Sequence, residues 1–170
     1  MLGFLFRTLT ADRDRGTALF DAVTKVARRP HWYVEGKVPD TIDGRFAVLS
    51  TVAALVIVRL EQAGEDGIAA SVALTERFIA VMESEHRELG LGDPTLGKTV
   101  RKLVGSLAKR TALWRSAVAG EEQWPTAVRD SLYKAEVSAD ASLDSEACLR
   151  EFWDGLQRID VDRIAEGGLE

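Results

Sequence analysis

The chain has 170 residues, a hydrophobic content of 46%, a charged content of 29% and a formal net charge of −5. This length favours one domain with a single core, and the hydrophobic content excludes a largely disordered chain. The net negative charge gives no reason to expect DNA as a partner. The single cysteine, Cys148, excludes an intramolecular disulfide, and we expect a buried or half-buried thiol in a reducing compartment.

The fold class follows from two features that are scarce in the sequence. There are only four prolines, and runs of alternating β-branched residues are rare. Both features favour an all-α fold. We therefore predict a single-domain bundle of about six helices over residues 1–170, arranged around a buried central helix.

The start of the chain is apolar and contains Phe4, Leu5, Phe6 and Leu9. This stretch is too short for a signal peptide with its cleavage site, and no later segment qualifies as a transmembrane helix. We expect the stretch either to pack on the core or to lie on a membrane surface, where one short apolar patch anchors only weakly. A cytoplasmic protein is the resulting prediction.

The first predicted helix spans residues 14–28 and ends before Pro30. Three consecutive rings, His31, Trp32 and Tyr33, then open a loop. Three neighbouring rings cannot all enter one core, so we expect at least one at the surface, where Trp and Tyr commonly anchor interfaces. Packing of Trp32 and Tyr33 over the central helix is the equal alternative.

The predicted central helix runs from Phe46 to Leu60, the most apolar part of the sequence. Its large apolar side chains do not keep to one stripe, so other helices must surround it. Ser50 and Thr51 interrupt it, and it is too short to cross a bilayer. We expect Phe46 to lie inside the protein.

The acidic residues before this helix allow two interpretations. Glu35, Asp40 and Asp43 lie close to Arg45 in the sequence, and an acid pair beside an arginine could perform acid–base chemistry. The favoured interpretation is structural, with Asp40 or Thr41 as the N-cap and Asp43 in the first turn. We expect Arg45 to pair with Asp40 or Asp43.

Periodicity and the glycine and proline signals define the later elements. They are a helix over residues 68–89 after Gly64 and Gly67, a turn over 90–94, a helix over 96–119 capped by Thr95, a short helix over 125–137, a loop over 138–144 and a last helix over 145–159.

The predicted helix over residues 96–119 has opposed apolar and basic sides. We define the basic face as Lys98, Arg101, Lys102, Lys109 and, on its flank, Arg110. Residues 96–120 contain six basic and no acidic residues, whereas residues 121–170 contain thirteen acids and five bases. The basic face is therefore a solvated surface, a partner for the acidic C-terminal segment, or a docking site for phosphate or another acidic surface.

The sequence offers no recognisable catalytic or metal-binding motif. His31 and His86 are far apart, and neither belongs to a strong metal motif such as HExxH or a CxxC pair; Glu83, one turn before His86, makes no site alone. A P-loop, a GxGxxG turn and a GxSxG elbow are all missing. We therefore expect no metal site, no cofactor and no enzymatic activity.

A longer motif occupies residues 33–46, which read Tyr-Val-Glu-Gly-Lys-Val-Pro-Asp-Thr-Ile-Asp-Gly-Arg-Phe. It resembles the ubiquinol–cytochrome c chaperone family, assembly factors of the respiratory bc1 complex. Support continues in Arg59-Leu60, in residues 88–93 and in residues 97–103. The resemblance covers about residues 20–119 and leaves residues 121–170 as an acidic, helical C-terminal extension.

The resemblance implies a non-enzymatic, all-α protein that binds newly made cytochrome b and holds it for haem insertion and assembly. The expected partner is the cytochrome b apoprotein. The ribosome exit region, the inner-membrane surface and a small partner subunit, which mitochondrial relatives use, remain open as further partners. The protein is expected in the cytoplasm, either free or peripheral on the cytoplasmic face of the inner membrane.

The loop and the basic face are the predicted contact surface for this client. The partner-binding residues are expected to be His31, Trp32, Tyr33, Glu35, Val38, Pro39, Asp40, Thr41, Asp43 and Arg45. One alternative is a haem- or quinone-handling helical protein in which His31 or His86 ligates iron. Another is a small hydrolase or isomerase that uses Asp40 and Asp43.

Overall fold

The computed structural model describes residues 16–88, 90, 93–133 and 137–169. Within these ranges the chain forms helices and no strand, which confirms the all-α prediction. The helices are α1 over residues 16–27, α2 (His31–Val34), α3 (Ile42–Glu61), α4 (Glu65–Glu88), α5 (Asp93–Val118), α6 (Trp124–Leu132), α7 (Ala139–Arg158) and α8 (Val161–Ala165). The short helices α2 and α8 were not predicted.

The helix α3 occupies the centre of the fold and packs against α4, α5, α6 and α7. From Val48 to Leu60, every residue except Leu49 and Arg59 is buried. This burial confirms the central-helix prediction, although α3 begins four residues earlier, at Ile42, than the predicted Phe46. The surrounding helices cover the apolar side chains on several sides, as a helix without a single apolar stripe requires.

The polar residues of α3 are accommodated without a break in the helix. Ser50 Oγ donates to the carbonyl of Phe46 at 2.6 Å, and Thr51 Oγ1 donates to that of Ala47 at 2.7 Å. Both hydroxyls are thereby satisfied inside the core. Their presence in the apolar run therefore costs little.

Arg59 is the charged residue in the buried part of α3, and it fixes the position of α7. Its Nε and Nη2 atoms donate to the carbonyls of Leu156 and Ile159, at 3.0 and 3.2 Å. These carbonyls belong to the C-terminal end of α7, where no further helical turn follows to supply i+4 amides. Arg59 thus joins the central helix to the C-terminal part of the chain.

The predicted role of Gly67 as a helix terminator is wrong, because α4 begins at Glu65 and includes Gly67 in its first turn. A Cβ at Gly67 would collide with the carbonyl of Leu60. Glycine at this position therefore reflects the close approach of α3 and α4. Sequence alone cannot separate this use of glycine from a helix end.

The start of α5 also differs from the prediction. Gly90 has the positive φ, 83°, that the predicted turn requires. However, α5 begins at Asp93, so Pro94 lies in its first turn and Thr95 is not the N-cap. A first-turn proline costs nothing, because the first amides of a helix have no intrahelical acceptor.

The C-terminal segment is more helical than predicted. The stretch 138–144, expected to be a loop, contains the N-cap Ser138 and the beginning of α7 at Ala139. Ser138 Oγ accepts a hydrogen bond from the amide of Ala141 at 3.4 Å. The polar residues here mark an exposed first turn of a helix, not an irregular loop. Cys148 on α7 is half-buried, as predicted, and burial raises the pKa of its thiol.

Two remaining expectations concern the apolar N-terminal stretch and membrane-spanning helices. The N-terminal residues Phe4, Leu5, Phe6 and Leu9 lie outside the described residues, as does Leu89. Among the helices that are described, none combines the length and the apolarity needed to cross a bilayer.

Candidate functional site

The segment 31–45, which follows α1, is anchored to the core at its first turn. Trp32 is fully buried, and its Nε1 donates to the carbonyl of Val26 at 2.9 Å. The half-buried Tyr33 donates through its hydroxyl to the carbonyl of Ala27 at 3.1 Å. Trp32 is therefore a core residue, which corrects its prediction as a partner contact and agrees with the alternative that it packs inside. Its indole satisfies a carbonyl at the end of α1.

His31 is partly buried beside these two rings. Its Nδ1 lies 3.6 Å from Glu35 Oε2, and its ring packs edge-on against Trp32. The other histidine, His86, contacts the carbonyl of Met82 on its own helix. Within the described ranges, no three His, Cys, Asp or Glu residues form a group that could hold a metal ion. The structure does not bring either histidine to a cluster of ligands.

The middle of the segment turns inward at Val38. This side chain is buried, and its amide donates to the carbonyl of Trp32 at 3.0 Å. Val38 is therefore not available to a partner, which is a second correction to the predicted contact residues. The hydroxyl of Tyr133, which follows α6, donates to the carbonyl of Gly36 and closes the segment against the C-terminal helices.

The end of the segment begins α3 as the sequence predicts. Thr41 is the N-cap and accepts a hydrogen bond from the amide of Gly44 at 3.2 Å. Arg45 pairs with Asp40 at 2.6 Å, and this hydrogen bond holds the pKa of the Asp40 carboxyl below its usual range. A Cβ at Gly44 would collide with the carbonyl of Pro39. The local fold thus accounts for most of the residues in the motif.

Phe46 is half-buried, and not fully inside as expected. One contact of its ring is with Phe78, at a centroid distance of 6.0 Å. Another is with the guanidinium of Arg110, whose central carbon lies 5.9 Å from the ring centroid. The ring lies at the boundary between core and surface, where a cation can contact it.

Several side chains of the segment face solvent. Of the predicted contact residues, those that are exposed are Glu35, Pro39, Asp40, Thr41, Asp43 and Arg45. The sequence interpretation missed Val34 and Ile42, which are 56% and 74% exposed. Large apolar side chains at such exposure are typical of contact surfaces when they cluster with other exposed residues.

The basic face divides into two parts. Its exposed members are Lys98, Arg101, Lys102 and Lys109. None of these four forms an ion pair within the described part of the chain, so pairing with the acidic C-terminal helices is not observed there.

Arg110 differs from these four, because it is a link between helices. Its Nε and Nη2 donate to the carbonyl of Ser131 at 3.2 and 2.8 Å, and its Nη1 donates to Ser106 Oγ. Burial lowers the pKa of the guanidinium. Arg110 thus satisfies a carbonyl at the C-terminal end of α6, and its prediction as part of an open basic face is corrected.

A groove of about 160 Å³ lies where the start of α3 meets the end of α6; we call it the α3–α6 groove. Its lining residues are Pro39, Thr41, Asp43, Gly44, Ala47, Arg110, Asp130, Ser131, Leu132 and Tyr133. Asp40 does not line it, so the structure does not place Asp40 and Asp43 together in this groove, as the hydrolase hypothesis requires. The contribution of α6 was missed, because no local sequence signal links residues so far apart.

Comparison with known proteins places this geometry in a family. The fold is similar to a solved structure described as the crystal structure of the Cbp3 homolog from Brucella abortus, with a TM-score of 0.79 and 23% identity over 98% of this chain and 94% of that chain. At this identity the likeness concerns the fold alone. No curated protein matches the chain. The profile of the ubiquinol-cytochrome C chaperone family matches residues 34–170, including residues 121–170, which the motif resemblance left out. The chain therefore belongs to the ubiquinol-cytochrome C chaperone family.

Proposed function

We propose that this protein is an assembly chaperone that binds newly made cytochrome b and supports biogenesis of the cytochrome bc1 complex. The observation that carries the proposal is the family match over residues 34–170. It includes the motif from Tyr33 to Phe46 almost entirely, and it extends through the helices that hold this motif in place.

The geometry of segment 31–45 supports a binding role. The hydrogen bonds of Trp32 and Tyr33 hold its first turn, the hydroxyl of Tyr133 holds its backbone at Gly36, and the Thr41 cap joins its other end to α3. Glu35, Pro39 and other side chains remain exposed on this fixed backbone. A surface that is already ordered avoids the entropic cost of ordering when a partner binds. The segment is therefore suited to present side chains to a client protein.

The electrostatics of the same segment favour binding over catalysis. A general acid or base works best with a pKa near the operating pH. The pKa of the Asp40 carboxyl is lowered, away from neutral pH, because Arg45 donates a hydrogen bond to it. An ionised, paired and solvent-exposed carboxylate is a poor proton donor. We infer a non-enzymatic role from the family membership, and the pairing of Asp40 agrees with it.

The four exposed residues of the basic face support a second contact. Lys98, Arg101, Lys102 and Lys109 lie on α5 and carry no ion pair within the described ranges. Four clustered positive charges attract anionic lipid headgroups, and salt screens this attraction at distances beyond the Debye length. We propose that the protein is cytoplasmic and binds peripherally to the inner membrane through this face.

Co-purification tests the client assignment. The protein carries a tag and is isolated from respiring cells, with and without a block in haem insertion. We expect cytochrome b apoprotein in the eluate, in a larger amount when haem insertion is blocked, because unfinished client accumulates. An eluate that lacks cytochrome b under both conditions contradicts the proposed function.

A further inference from the structure

We propose that the outward face of α4 is the docking site for the apolar N-terminal stretch of the same chain, residues 2–9. We define the α4 face by Ile68 and Val72, which are both 50% exposed. They are four positions apart on one helix, so their side chains lie next to each other. The inference goes beyond the proposed function and does not depend on the identity of the client.

The α4 face is apolar although it is not directed into the core. The side chains that α4 buries include Leu74 and Phe78, whereas neither Ile68 nor Val72 belongs to the hydrophobic core. Ala69, on the same side of the helix, is also exposed. Apolar side chains that cluster outside the core are typical of a surface that another segment covers.

The described part of the chain begins beside this face. Gly16, its first residue, lies so close to α4 that a Cβ would be 2.8 Å from the carbonyl oxygen of Ala73, the residue after Val72. Fifteen residues precede Gly16 in the sequence, and the large apolar ones within stretch 2–9 are Leu2, Phe4, Leu5, Phe6 and Leu9. The chain therefore tethers an apolar stretch next to an apolar face.

The tether is long enough to reach both side chains. Leu9 is seven residues before Gly16, and a chain of that length spans up to about 23–25 Å when extended. Ile68 is five residues before Ala73, which is about 7.5 Å along the axis of a helix that is about 10–12 Å wide with its side chains. The stretch therefore reaches the face while Gly16 keeps its contact. Because a short tether gives an effective concentration in the millimolar range, a weak contact is sufficient.

The charges around the face are complementary to those of the stretch. Glu65 and Glu76 are exposed on the same side of α4, three positions before Ile68 and four positions after Val72. Neither glutamate forms an ion pair among the described residues. Arg7 is the one charged residue in stretch 2–9. An apolar stretch with a single cation thus matches an apolar face that is flanked by two carboxylates.

Trypsin cleavage after Arg7 tests the docking on the full chain, in solution and without membranes. The cleavage rate of a free peptide of residues 1–12 is divided by that of the protein, which gives a protection factor. When a segment opens and recloses faster than it is cut, cleavage follows the population of its open form. We expect Ile68→Ser/Val72→Ser to lower the protection factor by about three- to tenfold, because serine removes the apolar contacts on the α4 side.

The matched control is Ile42→Ser/Leu143→Ser. It also removes two apolar side chains, which are 74% and 61% exposed, but they lie on α3 and α7. We expect its protection factor to equal that of the unaltered protein.

A variant on the other side of the contact completes the test. Phe4→Ser/Phe6→Ser changes the stretch and leaves α4 intact, and its rate is compared with that of a peptide carrying the same substitutions. We expect it to lower the protection factor as Ile68→Ser/Val72→Ser does, and the combined variant to lower it no further. Two losses that multiply in the combined variant contradict a contact between the stretch and the face.

Three further results overturn the proposal. An equal protection factor in the unaltered protein and in Ile68→Ser/Val72→Ser shows that α4 is not the partner of the stretch. Protection that rises with protein concentration assigns the face to a second copy of the chain. Protection that appears only after phosphatidylglycerol vesicles are added assigns the stretch to a bilayer. Because the assay contains no client, none of these results depends on the proposed function.

Discussion

The hydroxyl of Tyr133 donates a hydrogen bond to the carbonyl oxygen of Gly36, 97 residues earlier in the chain. The same hydroxyl lies 2.8 Å from Ser145 Oγ on α7. Tyr133 thus joins segment 31–45 to the C-terminal helices through one polar atom. This contact makes residues beyond 120 part of the support for the motif, and it fits the extent of the family match.

Substitution of Tyr133 by phenylalanine tests this support. It leaves the Gly36 carbonyl and the Ser145 hydroxyl without their partner, so we expect the free energy of unfolding to fall by about 1–2 kcal/mol. Urea denaturation followed by circular dichroism measures the change. We also expect faster hydrogen exchange of the Val38 amide, which donates to the carbonyl of Trp32 within the segment.

The matched control is Thr111→Val, which removes a buried hydroxyl that donates to the carbonyl of Leu107 within α5 at 3.0 Å. This hydrogen bond involves neither segment 31–45 nor the C-terminal helices. Equal Val38 exchange rates in the two variants contradict the support role of Tyr133.

The ion pair between Asp40 and Arg45 predicts a pH dependence. Its hydrogen bond lowers the folded-state pKa of Asp40 below the unfolded value of about 4. The stability that Asp40 contributes is therefore present above that value and is lost as the pH falls through the lower, folded-state pKa. In Arg45→Gln, we expect the pKa of Asp40 to return toward its usual value and this acid-range loss to shrink.

Carboxyl-detected NMR titration measures the pKa of Asp40 directly. Arg87→Gln is the control, because Arg87 pairs with Glu83 on another helix, at 2.9 Å. A pKa for Asp40 that is the same in Arg45→Gln and in Arg87→Gln shows that the ion pair is not its cause.

Much of this site was predictable from sequence because its determinants are local. Thr41 caps α3 by accepting a hydrogen bond from the amide three residues later, and Asp40 and Arg45 pair across five positions. The buried central helix was equally clear, since apolar side chains on all sides of a helix require neighbours on all sides. These features depend on short separations or on one element alone.

The remaining features depend on how distant elements meet. The Trp32 indole reaches the carbonyl of Val26 at the end of α1, and the Arg110 guanidinium reaches the carbonyl of Ser131 at the end of α6. The local sequence does not indicate where either carbonyl lies in the folded chain. The α3–α6 groove has the same origin, since Asp43 and Asp130 come together only in the folded chain.

Exposed apolar residues in segment 31–45 should contribute to client binding. Ile42 is 74% exposed in the first turn of α3, so Ile42→Ser is expected to change the free energy of unfolding by less than about 0.5 kcal/mol. Truncation of an interface anchor typically costs more than about 1 kcal/mol. We therefore expect the recovery of cytochrome b in co-purification to fall severalfold.

Val72→Ser is the matched control for this variant. Val72 is also an exposed apolar residue, at 50% exposure, but it lies on α4. We expect its recovery of cytochrome b to equal that of the unaltered protein. A similar loss in both variants assigns the effect to general apolar exposure and removes the special role of segment 31–45.

The basic face leads to a prediction about membranes. Replacement of Lys98, Arg101, Lys102 and Lys109 by glutamine removes four positive charges from one side of α5. Each basic residue near an anionic bilayer contributes about 1 kcal/mol, so each replacement weakens binding by up to about fivefold. We expect the quadruple variant to lose sedimentation with phosphatidylglycerol vesicles, and the unaltered protein to lose it as the salt concentration rises.

The control exchanges lysine for arginine and arginine for lysine at the same four positions, so the charge is kept while the side chains change. Because diffuse attraction to lipid headgroups depends on charge more than on side-chain geometry, this variant should sediment like the unaltered protein. Neutral phosphatidylcholine vesicles should bind none of the three proteins. If the glutamine variant sediments with anionic vesicles as well as the exchanged variant does, the four side chains are a solvated face of α5 and the membrane contact lies elsewhere.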